Sequence, residues 1–232
     1  MDYNKHKFMM IQILRDIYSD LSLANSLGFK GGTALMLFHN LPRMSIDLDF
    51  DLLVADKEKE VEVFNKIHTI LLKYGTIDDE ALKFFGPILV LNYGIGERKL
   101  KVEISNRRFE SRYEVKTFMG INMRVMRLPD MFAHKLCALT DRNELANRDI
   151  FDCWFFMENR TPINTKLVEN RMKLPFLDYL QLCIDSLNML SGKNLLNGIG
   201  DMIDEKMKHF VRTKLGADTI MLLNFYREFP IS

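Results

Sequence analysis

From Ile46 to Leu52 the chain alternates without exception, with Ile46, Leu48, Phe50 and Leu52 at one parity and Asp47, Asp49 and Asp51 at the other. Successive side chains on a strand point to opposite faces. The stretch therefore fits a half-buried strand over residues 46–53, with one apolar face and one carboxylate face, and no helix accommodates it. A polar face on such a strand is usually just wet. Two considerations press against that reading. Asp is depleted in strands, and like charges two residues apart repel. Carboxylates held together in this way suit a shared cation, and oxygen-only donors suit Mg2+.

A later stretch, "KLKVEIS" (99–105), repeats the pattern: Val102 and Ile104 face one way, Lys101, Glu103 and Ser105 the other. If the two strands are neighbours, Glu103 joins Asp47 and Asp49 as a third carboxylate. Three carboxylates on two strands can hold two Mg2+ ions, which stabilise the attacking and leaving oxygens of a phosphoryl-type transfer. One carboxylate near the attacking hydroxyl can also serve as its base. Upstream, "GGT" (31–33) precedes a short helical run, 34–39, that Thr33 could cap. Gly31 and Gly32 would let a phosphate approach the backbone, the helix start offers N–H groups, and Thr33 adds a hydroxyl. Alone this triplet is common in turns; followed by R-x-S-x-D-x-D it gains specificity. Ser45 either bonds a phosphate or caps the strand entry, and Arg43 either steadies a phosphate or neutralises the carboxylates. Asp51 reads as solvated or structural.

The remaining elements follow from periodicity. Helices are expected at 7–27, ended by Gly28, and at 56–74, with Val61, Phe64, Ile67 and Leu71 on one face. A very short strand is expected at Phe29–Lys30, a hairpin at 88–94 and 98–105, and short strands at 115–127. From Pro129 onward the pattern is helical, with helices at "LPDMFAHKLCALTDR" and "RDIFDCWFFMEN". The expected fold class is α+β: a mixed-sheet half over residues 1–127 and a helical half over 128–232, which the family resemblance set out below would have complete the active site. With 12 Gly and 6 Pro, long loops should be few. Three widely spaced cysteines argue against a disulfide framework or a Cys-based zinc site and fit a reducing cytoplasm. No signal peptide or membrane span is expected. A formal charge of +1 neither announces nor excludes nucleic acid. The basic, aromatic stretch 106–116 and the basic stretch 206–214 read either as charged surface or as RNA guides.

Taken together, "GGTAL" (31–35), "LPRMSIDLDFDL" (41–52), "KVEIS" (101–105), "HKLCALTDR" (134–142) and "RDIFD" (148–152) resemble the AbiEii/AbiGii toxin family of the DNA polymerase beta-like nucleotidyltransferase superfamily. The resemblance implies NMP transfer from an NTP with release of pyrophosphate, an RNA acceptor such as the 3′ end of tRNA, two Mg2+ ions on Asp47, Asp49 and Glu103, and a cognate antitoxin, a winged-helix DNA-binding regulator encoded nearby. It further implies that Lys135 contacts the triphosphate and that Asp149 is the active-site Asp of the "RD-x-x-D" motif. Arg142, seven residues after Lys135, either positions the nucleotide or pairs with an acid. Asp152 would pair with Arg142 or Arg148. Two rival functions stand beside this one. One is nucleotidyl transfer to a protein or an aminoglycoside-like small-molecule hydroxyl; the other is a non-catalytic nucleotide-binding regulator.

Overall fold

A computed structural model describes residues 2–54, 56–141, 145–190 and 194–229. By contacts the chain groups into two compact units: Met1–Asn40, Met44–Arg108 and Tyr113–Met126 form the first, and Leu41–Arg43, Phe109–Arg112 and Arg127–Ser232 the second.

The alternating stretch becomes the middle of the first unit. Strand β2 (Leu48–Leu52) lies between β1 (Leu27–Lys30) and β5 (Leu100–Ser105), in a seven-stranded sheet of order β3-β4-β5-β2-β1-β7-β6. The other strands are β3 (Thr76–Lys83), β4 (Gly86–Asn92), β6 (Tyr113–Phe118) and β7 (Ile121–Met126). The sheet is mixed: β2/β5 and β1/β7 are parallel, and the remaining pairs are antiparallel. On the apolar face Phe50 lies opposite Phe29, ring centroids 5.3 Å apart, and near Tyr18 of helix α1 (Tyr3–Ser19). Met10, Ile13, Leu14 and Ile17 are the buried stripe of α1, and their removal from water is the main driving force for this layer.

Several expectations are corrected here. The helix expected over 7–27 is two helices, α1 and α2 (Leu21–Ser26), because Asp20 leaves helical geometry and its carboxylate accepts the N–H groups of Ser22 and Leu23 as an N-cap. Gly28 ends no helix; it lies in β1, where a side chain would run into the Tyr113 ring. Helix α3 (Gly31–His39) begins at the first glycine, so Thr33 lies inside it and does not cap it. In α4 (Lys57–Leu71) the buried face is Val63, Ile67, Ile70 and Leu71, and Val61 is exposed. Strand β3 escapes a reading by periodicity because "TIDDEALK" lacks a clean apolar alternation. It is an edge strand, largely exposed, defined by its pairing with β4.

The second unit is helical: α5 (Leu128–Cys137), α6 (Asn147–Glu158), α7 (Thr165–Met172), α8 (Phe176–Asn188), α9 (Glu205–Thr213) and α10 (Leu215–Glu228). Its core stacks Phe132 on Phe156 at 4.9 Å, with Tyr226 edge-on to Phe132. The buried Tyr226 hydroxyl donates to the carbonyl of Thr161 at 2.9 Å, so the ring is buried without orphaning its polar end. Tyr179 does the same for α5, donating its hydroxyl at 3.0 Å to the Leu136 carbonyl. Among the described residues no helix is long and apolar enough to cross a membrane.

Candidate active site

The parallel register of β2 and β5 sets Asp49 beside Glu103 and Asp51 beside Ser105. Residues opposite one another in a ladder share a face, so the carboxylates of the two strands do stand together. Asp47 is in the extended segment just before β2. The Thr33 hydroxyl, fully buried inside α3, donates to the Asp47 carbonyl at 2.5 Å and so locks the strand entry to the helix. Thr33 is thus placed to position Asp47's backbone. Ser45 is buried in the same approach to β2.

Gly31 adopts φ +79, and a Cβ there would run into Oδ2 of Asp49. Only glycine satisfies both demands at low cost. It lets the Asp49 carboxylate lie against the start of α3, whose first turn has no side-chain cap from Lys30. Gly32, the next residue, is buried.

The four carboxylates of this region divide into two kinds. Asp51 is buried and saturated: Lys30 Nζ donates to Oδ1 at 2.5 Å and the Tyr113 hydroxyl to Oδ2 at 2.5 Å. Glu103 accepts from Lys101 Nζ at 2.8 Å. Burial pushes the Glu103 carboxyl up, but the Lys101 hydrogen bond and the charges of Lys101, Lys30 and Arg107 outweigh it, so its pKa falls below the usual value. Asp47 and Asp49 have no side-chain hydrogen bond or ion pair among the described residues. Burial first, then the negative charge of Asp47, push the Asp49 pKa up.

The donor set is all oxygen, which suits a hard divalent cation. Among the described residues, however, no three His, Cys, Asp or Glu side chains are close enough to grip one ion. At this face Glu103 is held by Lys101. Asp47 and Asp49, without a side-chain partner among the described residues, offer oxygen donors of the kind such a cation takes.

The second set of expected site residues lies in the helical unit. Asp149 and Asp152, one turn apart on α6, are both fully buried. Lys135 Nζ of α5 meets Asp149 Oδ1 at 2.9 Å and Asp152 Oδ2 at 2.7 Å. Arg43 grips Asp152 with Nε and Nη2, both at 2.7 Å. Two cations thus balance two carboxylates. Burial opposes both charged forms, yet Arg43 and Lys135 hold the Asp152 carboxyl below its usual range, and Asp152 and Asp149 hold the Lys135 ammonium above its own. Of the partners expected for Asp152, Arg148 is not among those it meets; within the described residues these are Arg43 and Lys135. Arg43 therefore neutralises an acid of α6, 109 residues away in sequence, a pairing that no local pattern reveals. Arg142 lies outside the described residues.

Two lysines and a tyrosine escaped the sequence reading as site residues or were given no role. Lys30 and Tyr113 come to Asp51 from 21 and 62 residues away. Lys101 had a legible signal: it stands two residues before Glu103 on the same face of one strand. The other aromatic in the basic stretch 106–116, Phe109, also has a structural contact. Phe109 packs against His134 and under the Arg171 guanidinium, 4.8 Å from the ring centre.

Comparison with solved structures supports the fold. JHP933 from Helicobacter pylori is 19% identical, with a TM-score of 0.57 over 97% of this chain and 94% of that one. MenT4, a nucleotidyltransferase toxin from Mycobacterium tuberculosis, is 19% identical, with a TM-score of 0.64 over 94% of this chain and 84% of that one. At such identity the likeness establishes the fold alone. No curated protein sequence matches the chain. A family model does, and its span of residues 12–213 takes in the glycine turn, the Asp47 and Asp49 strand, Glu103, and the α5 and α6 acids and lysine. On that match the chain belongs to the family of nucleotidyl transferase AbiEii toxins of type IV TA systems, and is a nucleotidyltransferase.

Proposed function

We propose that the chain transfers a nucleoside monophosphate from an NTP to the 3′-hydroxyl of an RNA, with tRNA the acceptor, and that it does so with Mg2+ on Asp47 and Asp49. The observation that carries this reading is the pair of carboxylates left without a counter-ion, beside a glycine turn, in a face where the other two acids are each paired with lysine. A divalent cation, when bound there, supplies the charge that the face lacks and draws electron density from the phosphate oxygens. The protein's own residues do the remaining work. Gly31 and Gly32 keep the start of α3 open for phosphate, whose charge suits the uncapped N–H groups. Asp49, near the incoming hydroxyl, accepts its proton as the new P–O bond forms and pyrophosphate leaves. Lys30, fixed by Asp51 and Tyr113, limits the repulsion among the acids. Positioning and charge neutralisation carry most of such a transfer.

In the helical unit Lys135 has the more exposed edge of the two cations, 17% against 3% for the Arg43 side chain. It is the candidate contact for a triphosphate, with Asp149 holding it. The RNA acceptor is supported by the family expectation and by the exposed Arg107 and Arg108 that follow β5, since guanidinium groups are the ordinary partners of phosphate backbones. As the toxin of a type IV system the protein has an antitoxin counterpart, which we take to be a winged-helix DNA-binding protein encoded nearby.

The test is direct. Purified protein is incubated with each α-labelled NTP, Mg2+ and total tRNA. Label should enter tRNA, and Asp49→Ala should lower the rate by about a thousandfold or more. Label in protein or in an aminoglycoside, with tRNA untouched, would move the acceptor. An Asp49→Ala variant as active as wild type would remove the site.

A further inference from the structure

Lys101 and Glu103 lie two residues apart on one face of β5, and their ion pair, 2.8 Å long, is about one-third exposed at both ends. Two comparisons set it apart. Lys30, on the same face, is fixed: its partner Asp51 is buried and is held from the other side by Tyr113. For Lys101, Glu103 is the hydrogen-bond partner among the described residues. An ion pair this open to water is held weakly and exchanges easily. Yet both ends are in the wrong place for a pair of merely structural use. Glu103 lies beside Asp49 in register, where a third ligand would be needed, and the Lys101 ammonium feels Asp47 and Asp49 as well as Glu103. While the pair is closed, no three acids converge on an ion.

We propose that this pair is an exchange latch: when a nucleoside triphosphate arrives with its divalent cation, Lys101 releases Glu103, its ammonium moving to the phosphate anion and the Glu103 carboxylate to the cation. Both partners trade one charge-assisted contact for another, so the swap leaves no charge unpaired. Lys101 is then a substrate-positioning residue that also keeps the face from gathering a cation before the nucleotide is present. The proposal rests on the reading of this face as the metal and nucleotide site.

The two halves of the latch predict effects of opposite sign. In the nucleotide-free protein, Lys101→Met should bind Mn2+ roughly tenfold more tightly than wild type, read by titration calorimetry or by Mn2+ paramagnetic resonance. The same variant should bind ribonucleoside triphosphates, tested one by one with non-reactive Ca2+, roughly tenfold more weakly. Adding Glu103→Gln to Lys101→Met should erase the gain in Mn2+ affinity. Lys101→Gln, with thermal melts of every variant, guards against a folding artefact. If Lys101→Met and Lys101→Gln leave Mn2+ affinity unchanged or lower it, the latch is wrong. That result differs from failure of the site itself, in which wild type and Asp49→Asn bind Mn2+ and nucleotide equally, and the latch falls with it.

Discussion

The molecule contains two groups of acids and bases that look alike in the sequence and differ in charge balance and burial. On the sheet, Asp47, Asp49, Asp51 and Glu103 face two lysines, Lys30 and Lys101, and the Lys101 pair is open to water. Among the helices, Asp149 and Asp152 meet Lys135 and Arg43, with both carboxylates fully buried. The helical cluster carries its own counter-charges among the described residues, although Asp149 Oδ2 is buried without a hydrogen bond. Its charges balance, as buried charges must if they are not to cost several kcal/mol each. On the sheet face the four acids outnumber the two lysines that pair with them, and burial, then the charge of Asp47, raises the Asp49 pKa. The difference separates a face in which Asp47 and Asp49 have no ion pair among the described residues from a cluster in which each acid has one.

The sharpest way to break this contrast is to neutralise one member of each group. Arg43→Met leaves the two buried carboxylates, Asp149 and Asp152, to share Lys135, one negative charge in excess, and should destabilise the protein by about 3 kcal/mol in urea unfolding. Asp49→Asn, which removes a repelled charge, should leave stability within about 1 kcal/mol of wild type or raise it, while abolishing transfer. If both variants lost comparable stability, the sheet face would have to be a structural cluster too.

Acid separates the two groups next. The Asp152 pKa is depressed in the folded state, so its contribution is present above the unfolded value near ~3.9 and is lost as pH falls through the folded value. The Lys135 pKa is raised, so its share is present below ~10.4 and is lost only as pH rises through the folded value. The Asp49 pKa is raised, and its contribution has the opposite slope: it favours the fold in acid and is lost as pH rises. Unfolding free energies measured from about pH 7 down to about pH 3 should therefore fall in wild type, fall much less in Asp152→Asn, and fall more steeply in Asp49→Asn. A wild-type profile unchanged by Asp152→Asn would contradict the pairing.

The smallest effect concerns the sheet alone. Tyr113→Phe removes one of the two donors to Asp51 and should cost about 1 kcal/mol of stability. Because Lys30 keeps its pair, transfer should change by less than about threefold. A larger loss of activity than of stability would mean that Tyr113 positions more than Asp51.

Much of the sheet site was legible because its information is local. Within β2 a period of two commits Asp49 and Asp51 to one face, and the same rule puts Glu103 with Lys101, whereas Asp47 lies just before the strand. Gly31 was legible as a turn, though not its contact with Asp49. The helix expected over 7–27 failed at Asp20, where a cap outweighed a continuous apolar pattern. Strand β3 and the pairing of Arg43 with Asp152 were illegible for a common reason: each depends on a partner distant in the chain.

By itself, then, the amino-acid order determined which side chains share a face, that a glycine turn precedes the acids, and the family to which these motifs point. Only the tertiary structure decided which acids are neutralised. Strand alternation is set by backbone stereochemistry within a few residues, whereas counter-ions are chosen by whatever the fold brings within about 3 Å. Asp51 receives Lys30 and Tyr113, Asp152 receives Arg43 and Lys135, and Glu103 keeps its strand neighbour Lys101. Asp47 and Asp49 receive no side-chain partner among the described residues.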